Sequence, residues 1–262
     1  MAKIITICNQ KGGTGKTTTA VNLSTCLGER NKKVLLVDVD PQGNATSGIG
    51  VNKNELQISV YDVLLNKAST VEAIIKNVQS GVDVLPCNIN LTGAEIELVG
   101  MISRESRLKK ALESVKDSYD FIIIDAPPSL GLITLNALVA CNSIIIPIQC
   151  EFYALEGVSQ LINTLSLIRE GLNPGLHIEG VLPTMADYRT NLTNEVINEI
   201  KNYFKDKVYK SIIPRNVRLS EAPSHGKPIT LYDANSLGAV KYRELADELL
   251  SHSGKETQTI AA

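Results

Sequence analysis

The sequence predicts an α/β fold, a single domain in which a mostly parallel, twisted sheet carries helices on both faces. Three observations lead there. Short β-branched runs alternate with longer stretches of helical periodicity, the pattern of repeated βαβ units. The first run, Ile4, Ile5 and Ile7, leads through a glycine-rich loop into a helical pattern of Ala20, Val21, Leu23 and Leu27. The 262 residues, 44% of them hydrophobic, hold no Pro/Gly/Ser-rich linker, internal repeat or low-complexity stretch that would divide the chain. Residues 1–251 are therefore read as one domain and residues 252–262 as a polar C-terminal tail.

Strands are expected at residues 3–8, 34–39, 82–86, 120–125, 143–149, 178–183 and 208–213, each a short run rich in Val, Ile, Leu or Phe. Helices fill most of the gaps. At 17–30 apolar residues follow the threonines of the loop at three- and four-residue spacing, and at 103–116 Leu108, Leu112 and Val115 repeat that spacing. Further helices are expected at 130–141, 155–170, 193–204 and 236–250. Open sheets of this kind bind ligands beyond the C-terminal ends of their strands, and three of those ends carry suggestive chemistry.

The first strand ends in Lys11-Gly12-Gly13-Thr14-Gly15-Lys16-Thr17-Thr18. Glycines without Cβ atoms let successive backbone N–H groups turn inward around a polyphosphate, and the following helix N-terminus adds partial positive charge. In such a loop Lys16 reaches the β and γ phosphates and the Thr17 hydroxyl ligates Mg²⁺. Gln10 stands where the standard motif has its leading glycine, and Lys11 is a second lysine that most such loops lack. The fourth strand, Phe121-Ile122-Ile123-Ile124-Asp125, has the form of a Walker B strand, whose carboxylate holds Mg²⁺ directly or through water. A structural alternative, a buried strand ending in a solvated Asp, is common, but the glycine-rich loop favours the metal role. The second strand ends in Asp38-Val39-Asp40-Pro41-Gln42-Gly43. Asp40, in a turn before proline, is the candidate for orienting an attacking water, or else a plain turn-former. Asp38 either stands near the Mg²⁺ shell or caps the strand. Together these features describe a P-loop NTPase domain that binds a nucleotide phosphate tail with Mg²⁺.

Composition narrows the class. A net charge of −2 excludes a uniformly basic nucleic-acid binder, so any DNA site must be a local patch. Cys8, Cys26, Cys87, Cys141 and Cys150 form no C-x-x-C pair and suit buried thiols in a reducing compartment. With the first strand beginning near Lys3 and no apolar run approaching membrane length, we expect no signal peptide and a cytoplasmic protein.

The motifs together resemble the deviant Walker A family, most closely its ParA/Soj-type chromosome-partitioning ATPases. The likeness rests on the glycine-rich loop, on Val37-Asp38-Val39-Asp40-Pro41-Gln42-Gly43-Asn44 and on Asp125-Ala126-Pro127-Pro128-Ser129. It continues through Gln149-Cys150-Glu151-Phe152-Tyr153-Ala154-Leu155-Glu156-Gly157 and residues 213–226, so it spans nearly the whole chain. The resemblance implies that Lys11 is the signature lysine that reaches across a two-fold interface to the partner's ATP, so that nucleotide binding makes a sandwich homodimer. It also implies that Pro214 and Asn216 lie near the adenine, and that Arg189 and Arg218 line a face binding double-stranded DNA without sequence readout. A ParB/Spo0J-type centromere-binding protein would be the partner that stimulates hydrolysis, and nucleoid association the expected localisation. Residues 184–227 carry eight basic and five acidic side chains, a local excess in a chain of net charge −2.

Two rivals stand against this reading, the nearer of them inside the same superfamily. A MinD-like membrane ATPase would carry a basic amphipathic terminal helix, whereas the polar face of 237–250 mixes acids and bases and its apolar stripe reads as core. An iron–sulfur carrier would need paired interface cysteines, and after Ser129 none occurs until Cys141. No membrane association is expected. Kinase chemistry lacks any sign of an acceptor pocket and lid, and a purely structural filament would need neither Asp40 nor Asp125.

Overall fold

The computed structural model describes residues 2–152, 154–155 and 158–260. In order the elements are β1 (Lys3–Ile7), α1 (Lys16–Glu29), β2 (Val34–Asp38), α2 (Asn44–Gly48), α3 (Val60–Leu64), α4 (Thr70–Ala73), β3 (Ile75–Gln79), β4 (Val82–Leu85), α5 (Leu91–Val99), α6 (Arg107–Glu113) and β5 (Phe121–Asp125). There follow α7 (Leu132–Ala140), β6 (Ser143–Gln149), α8 (Val158–Gly171), β7 (His177–Thr184), α9 (Asn191–Phe204), α10 (Val217–Glu221), α11 (Ile229–Tyr232) and α12 (Leu237–Ile260).

Seven strands form one sheet in the order β3-β4-β2-β5-β1-β6-β7. Every neighbouring pair is parallel except β3 with β4. Every residue of β2 and β5 is buried, as a central strand covered on both faces requires. Alternate side chains then feed two cores. Ile4, Ile122, Ile124 and Ile144 face one layer, which includes Leu108, Leu112, Ala137, Leu138, Leu161 and Leu165 of α6, α7 and α8. Ile5, Ile7, Ile123 and Ile145 face the other, where α1, α2 and α10–α12 contribute Leu23, Leu27, Ala45, Leu219, Ile229 and Leu245. Burial decides the packing of α1 on α12. Each fully buried aliphatic side chain there is worth about 1.5–3 kcal/mol, whereas the exposed Arg30–Asp247 pair, at 2.7 Å, belongs to a class worth about 0–1 kcal/mol.

Three expectations change. Residues 208–213 do not form a strand; they meet β7 at the isolated parallel bridge Val181↔Val208 and where Ile213 N donates to Pro183 O at 2.9 Å. The backbone N–H groups of Lys210 and Ser211 instead donate to the Glu248 carboxylate at 2.8 and 3.1 Å. Conversely, Ile75–Gln79 pairs antiparallel with β4 at the sheet edge. The segment expected as a loose tail is helical through Ile260, because α12 continues without a proline to stop it. Tyr153, Glu156 and Gly157, part of one stretch that carried the family resemblance, lie outside the described residues.

Candidate nucleotide-binding site

The glycine-rich loop leaves β1 and is held by Asn9, a residue that motif reading did not single out. Its Nδ2 donates to Pro147 O of β6 at 2.7 Å, and its Oδ1 accepts from Lys11 N at 3.1 Å, an Asx-type turn. An Asn just after a strand and two residues ahead of a loop N–H was the available signal; the reach to β6 was not. Gly13 (φ 74) and Gly15 (φ 86) take left-handed conformations, and Gly15 caps α1. A Cβ on Gly12 or Gly13 would meet nothing within 4 Å, so the loop keeps an open, backbone-lined concavity. Thr14 is buried and the Thr184 hydroxyl donates to its carbonyl at 2.9 Å, fixing the loop to the end of β7.

Lys16 begins α1, 7% exposed, with its Nζ donating to Lys11 O at 3.2 Å. Burial depresses its pKa, with the nearby Asp125 charge pulling in the other direction. Thr17 and Thr18 are half-buried on the same turn, and Lys11 is half-buried within the loop.

The two carboxylate strands converge because β5 lies between β1 and β2. Asp125 pairs in register with Ile7 on one side and with Asp38 on the other. The two carboxylates differ in their partners. Asp38 accepts from Asp40 N at 3.1 Å, Thr46 N at 2.8 Å and Thr46 Oγ1 at 2.7 Å. It therefore organises the turn after β2, which favours the capping alternative. Burial raises its pKa to about 6 against these three donors. Asp125 is fully buried, and neither of its oxygens has a hydrogen-bond partner among the described residues. Burial raises its pKa well above the usual carboxylate range, the Asp38 charge adds to this, and the neighbouring Thr17 hydroxyl opposes it without reaching hydrogen-bond geometry. A buried carboxylate with nothing to satisfy it is costly unless a cation completes the site. With a hard oxygen donor set of Asp125 and the Thr17 hydroxyl, the residues fit Mg²⁺. Asp40 is 9% exposed; its Oδ1 accepts from Gln42 N at 2.9 Å and its backbone carbonyl accepts from Gly43 N at 2.8 Å.

Two clefts flank Thr18. One, about 490 Å³, is lined by Gly15, Thr18, Met185, Pro214, Asn216 and Tyr242 among others, so the two positions expected near adenine open onto the same cleft as the glycine-rich loop. The other, about 410 Å³, lies between Thr17, Asn22, Ser47, Lys53, Ser224 and Lys227. Arg189 and Arg218 stand apart from both, 84% and 55% exposed along their side chains. Each is paired: Arg189 with Asp187 at 2.5 Å, and Arg218 with Glu221 at 2.9 Å and Asp233 at 3.5 Å. The five cysteines are all buried free thiols, and burial pushes Cys8, Cys26, Cys141 and Cys150 each up to about 12. Among the described residues no helix is long and apolar enough to cross a membrane.

A family model described as an AAA domain matches residues 2–178. The chain is 61% identical over 252 residues to the sporulation initiation inhibitor protein Soj of Bacillus subtilis (strain 168), covering 96% of this chain and 100% of that protein. It is 51% identical over 250 residues to the chromosome partitioning protein ParA of Myxococcus xanthus (strain DK1622), covering 95% of this chain and 88% of that one. Among solved structures it resembles a cobyrinic acid a,c-diamide synthase from Mycobacterium smegmatis with bound ADP and magnesium, at a TM-score of 0.86, 38% identity and coverage of 97% and 96%.

Proposed function

We propose, for a chain that belongs to the Soj/ParA family of chromosome-partitioning ATPases, a DNA-segregation switch driven by ATP and Mg²⁺. ATP closes a sandwich homodimer that binds double-stranded DNA without reading sequence, and hydrolysis stimulated by a ParB/Spo0J-type partner releases it. The observation that carries this reading is the buried, unpartnered Asp125 carboxylate set beside Lys16 and Thr17 at the end of the glycine-rich loop.

In the cycle, backbone N–H groups of Gly12 to Thr18 cradle the phosphates, and Lys16 exchanges its bond to Lys11 O for phosphate oxygens. Thr17 and Asp125 hold Mg²⁺, directly or through water. When bound, Mg²⁺ neutralises charge that develops on the phosphate oxygens. Lys11 offsets the repulsion between two nucleotides that face each other across the dimer. Asp40 Oδ1 is committed to the turn, which leaves Oδ2 to orient the attacking water. Pro214 and Asn216 border the base.

Arg189 and Arg218 supply phosphate contacts, which dimerisation doubles. Affinity should therefore fall steeply with salt, with a slope reflecting roughly four to eight neutralised phosphates per dimer. The apolar stripe of α12 supports this reading over a membrane-directed one, since Tyr242, Leu245 and Leu249 are packed in the core rather than presented outward. The test is binding to a random-sequence duplex at low salt with ATP, ADP or no nucleotide, for the wild type and for Arg189→Glu with Arg218→Glu. Binding that needs ATP and disappears in the double variant is expected. Equal binding in every nucleotide state would refute the switch.

A further inference from the structure

Arg218 lies at the start of a segment that is tied to the nucleotide site at two separate points. α10 carries the arginine; a short 3-10 turn (Ala222–His225), Gly226 and α11 follow. Within the segment, Arg218 bonds Glu221 at 2.9 Å, Tyr232 OH donates to the same Glu221 oxygen at 3.1 Å, and the His225 ring stacks on Tyr232 at 5.0 Å. The arginine is thus fixed to a small braced unit.

The first tie is Asn22, one helical turn beyond Thr18 on α1 and 5% exposed. Its Nδ2 donates to Thr18 O at 2.7 Å, and its Oδ1 accepts from the buried Ile229 N at 2.7 Å. The two partners fix the amide's orientation, since one is a carbonyl and the other an N–H. The second tie is a backbone contact. Gly226 (φ +60) lies against Gly50 (φ +100), which follows α2 and the Asp40 turn. A Cβ on Gly50 would stand 3.0 Å from Gly226 O, and a Cβ on Gly226 would stand 3.4 Å from both Gly50 Cα and Ser47 O. No side chain cushions that approach.

We propose that Asn22 is a positioning residue that couples the phosphate-bearing turn of α1 to the Arg218 unit, with the Gly50–Gly226 contact as a second strut from the Asp40 turn. This rests on the reading that DNA binding is gated by ATP. A buried amide held by two hydrogen bonds and a contact between backbones transmit a shift of α1 or α2 directly, because the first is fixed at both ends and the second has no side chain to absorb it. The DNA face then responds to nucleotide within each protomer, in addition to the doubling of the patch on dimerisation.

The two contributions separate in a variant that still dimerises. Asn22→Leu removes both hydrogen bonds with a side chain of like branching though larger volume, and Gly226→Ala wedges the second strut independently should the first variant fold poorly. Dimerisation with ATP and Mg²⁺ is followed by analytical ultracentrifugation, and duplex affinity is measured with ATP and with ADP at one salt concentration. The expected result is dimerisation and basal ATPase near wild type, with the ATP-to-ADP ratio of DNA affinities reduced about tenfold, within the ordinary range of coupling between sites. A variant that dimerises normally and keeps the wild-type ratio overturns the proposal, since avidity alone then explains the switch. Loss of ATP-dependent dimerisation also overturns it, because the contact would then serve the nucleotide site. A wild type without ATP-dependent DNA binding would instead remove the underlying reading.

Discussion

Asp125→Asn offers the sharpest probe of the site, because the substitution keeps the shape of a fully buried side chain while removing its charge and exchanging one acceptor oxygen for an amide donor. Neither carboxylate oxygen has a hydrogen-bond partner among the described residues, so the unliganded chain loses no hydrogen bond among them, and the repulsion from Asp38 is relieved. The unliganded variant should therefore be at least as stable as the wild type. With ATP and Mg²⁺ the order reverses. A ligand at 100 times its Kd adds about 2.7 kcal/mol to folding, which for a chain of this size is a rise in Tm of roughly 5–10 °C. Loss of a carboxylate that holds the metal should weaken binding by about 100-fold, the upper end of the roughly 10–100-fold range for supporting residues of metal sites. The same ligand concentration then contributes only about 0.4 kcal/mol, a rise of roughly 1–2 °C. Differential scanning fluorimetry with and without Mg²⁺-ATP reads both quantities. A variant that keeps the full nucleotide-dependent rise, or that melts well below the wild type without ligand, would refute the assignment of Asp125 as the cation-binding carboxylate.

The unliganded chain should also lose stability as pH rises from 3.8 to about 6, because burial raises Asp38 over that interval and the folded state holds its proton more tightly than the unfolded one. The contribution is full below 3.8 and gone above about 6, with Asp125, raised still further, extending the loss upward; melting temperatures that climb across that window would contradict it. Asp40→Ala should bind ATP and dimerise yet turn over slowly, accumulating as a DNA-bound dimer in a steady-state phosphate-release assay; wild-type turnover would remove Asp40 from its role. Tyr209 buries a hydroxyl without a partner among the described residues, so Tyr209→Phe should be neutral or stabilising by up to about 1 kcal/mol in urea unfolding, and a clear loss would show that the hydroxyl is satisfied.

Local chemistry was readable in the sequence; partners across the sheet were not. The glycine-rich loop and the aspartate after four apolar residues announce themselves through spacing alone, and the sheet places Lys16 and Asp125 close enough for their charges to interact. Asp38 was open to two roles because its decisive partner, Thr46, is supplied by a short helix that periodicity cannot detect. β3 escaped because Ile75–Gln79 shows only Ile75 and Val78 as apolar residues, too weak a pattern for an edge strand. Residues 208–213 misled for the opposite reason: their composition suits a strand, but two of their N–H groups are taken by Glu248 of α12, a choice set by tertiary packing. Asn9 and Asn22 share this character, each doing its work through a backbone atom more than a hundred residues away.

The placement of β5 between β1 and β2 has a consequence for the newborn chain. A ribosome delivers the glycine-rich loop and the Asp38–Asp40 turn early, yet the strand that sets them side by side emerges only once residues 121–125 have been made. Until then β1 lacks both of its hydrogen-bonding neighbours, since β6 follows β5 in the chain, and the loop lacks the Asp125 carboxylate. Parallel pairing across so long a stretch is slow to nucleate and cannot be completed piecemeal. A product released too soon thus has the glycine-rich loop without the sheet neighbours that set it beside Asp125. Strand order makes competence a property of the finished polypeptide.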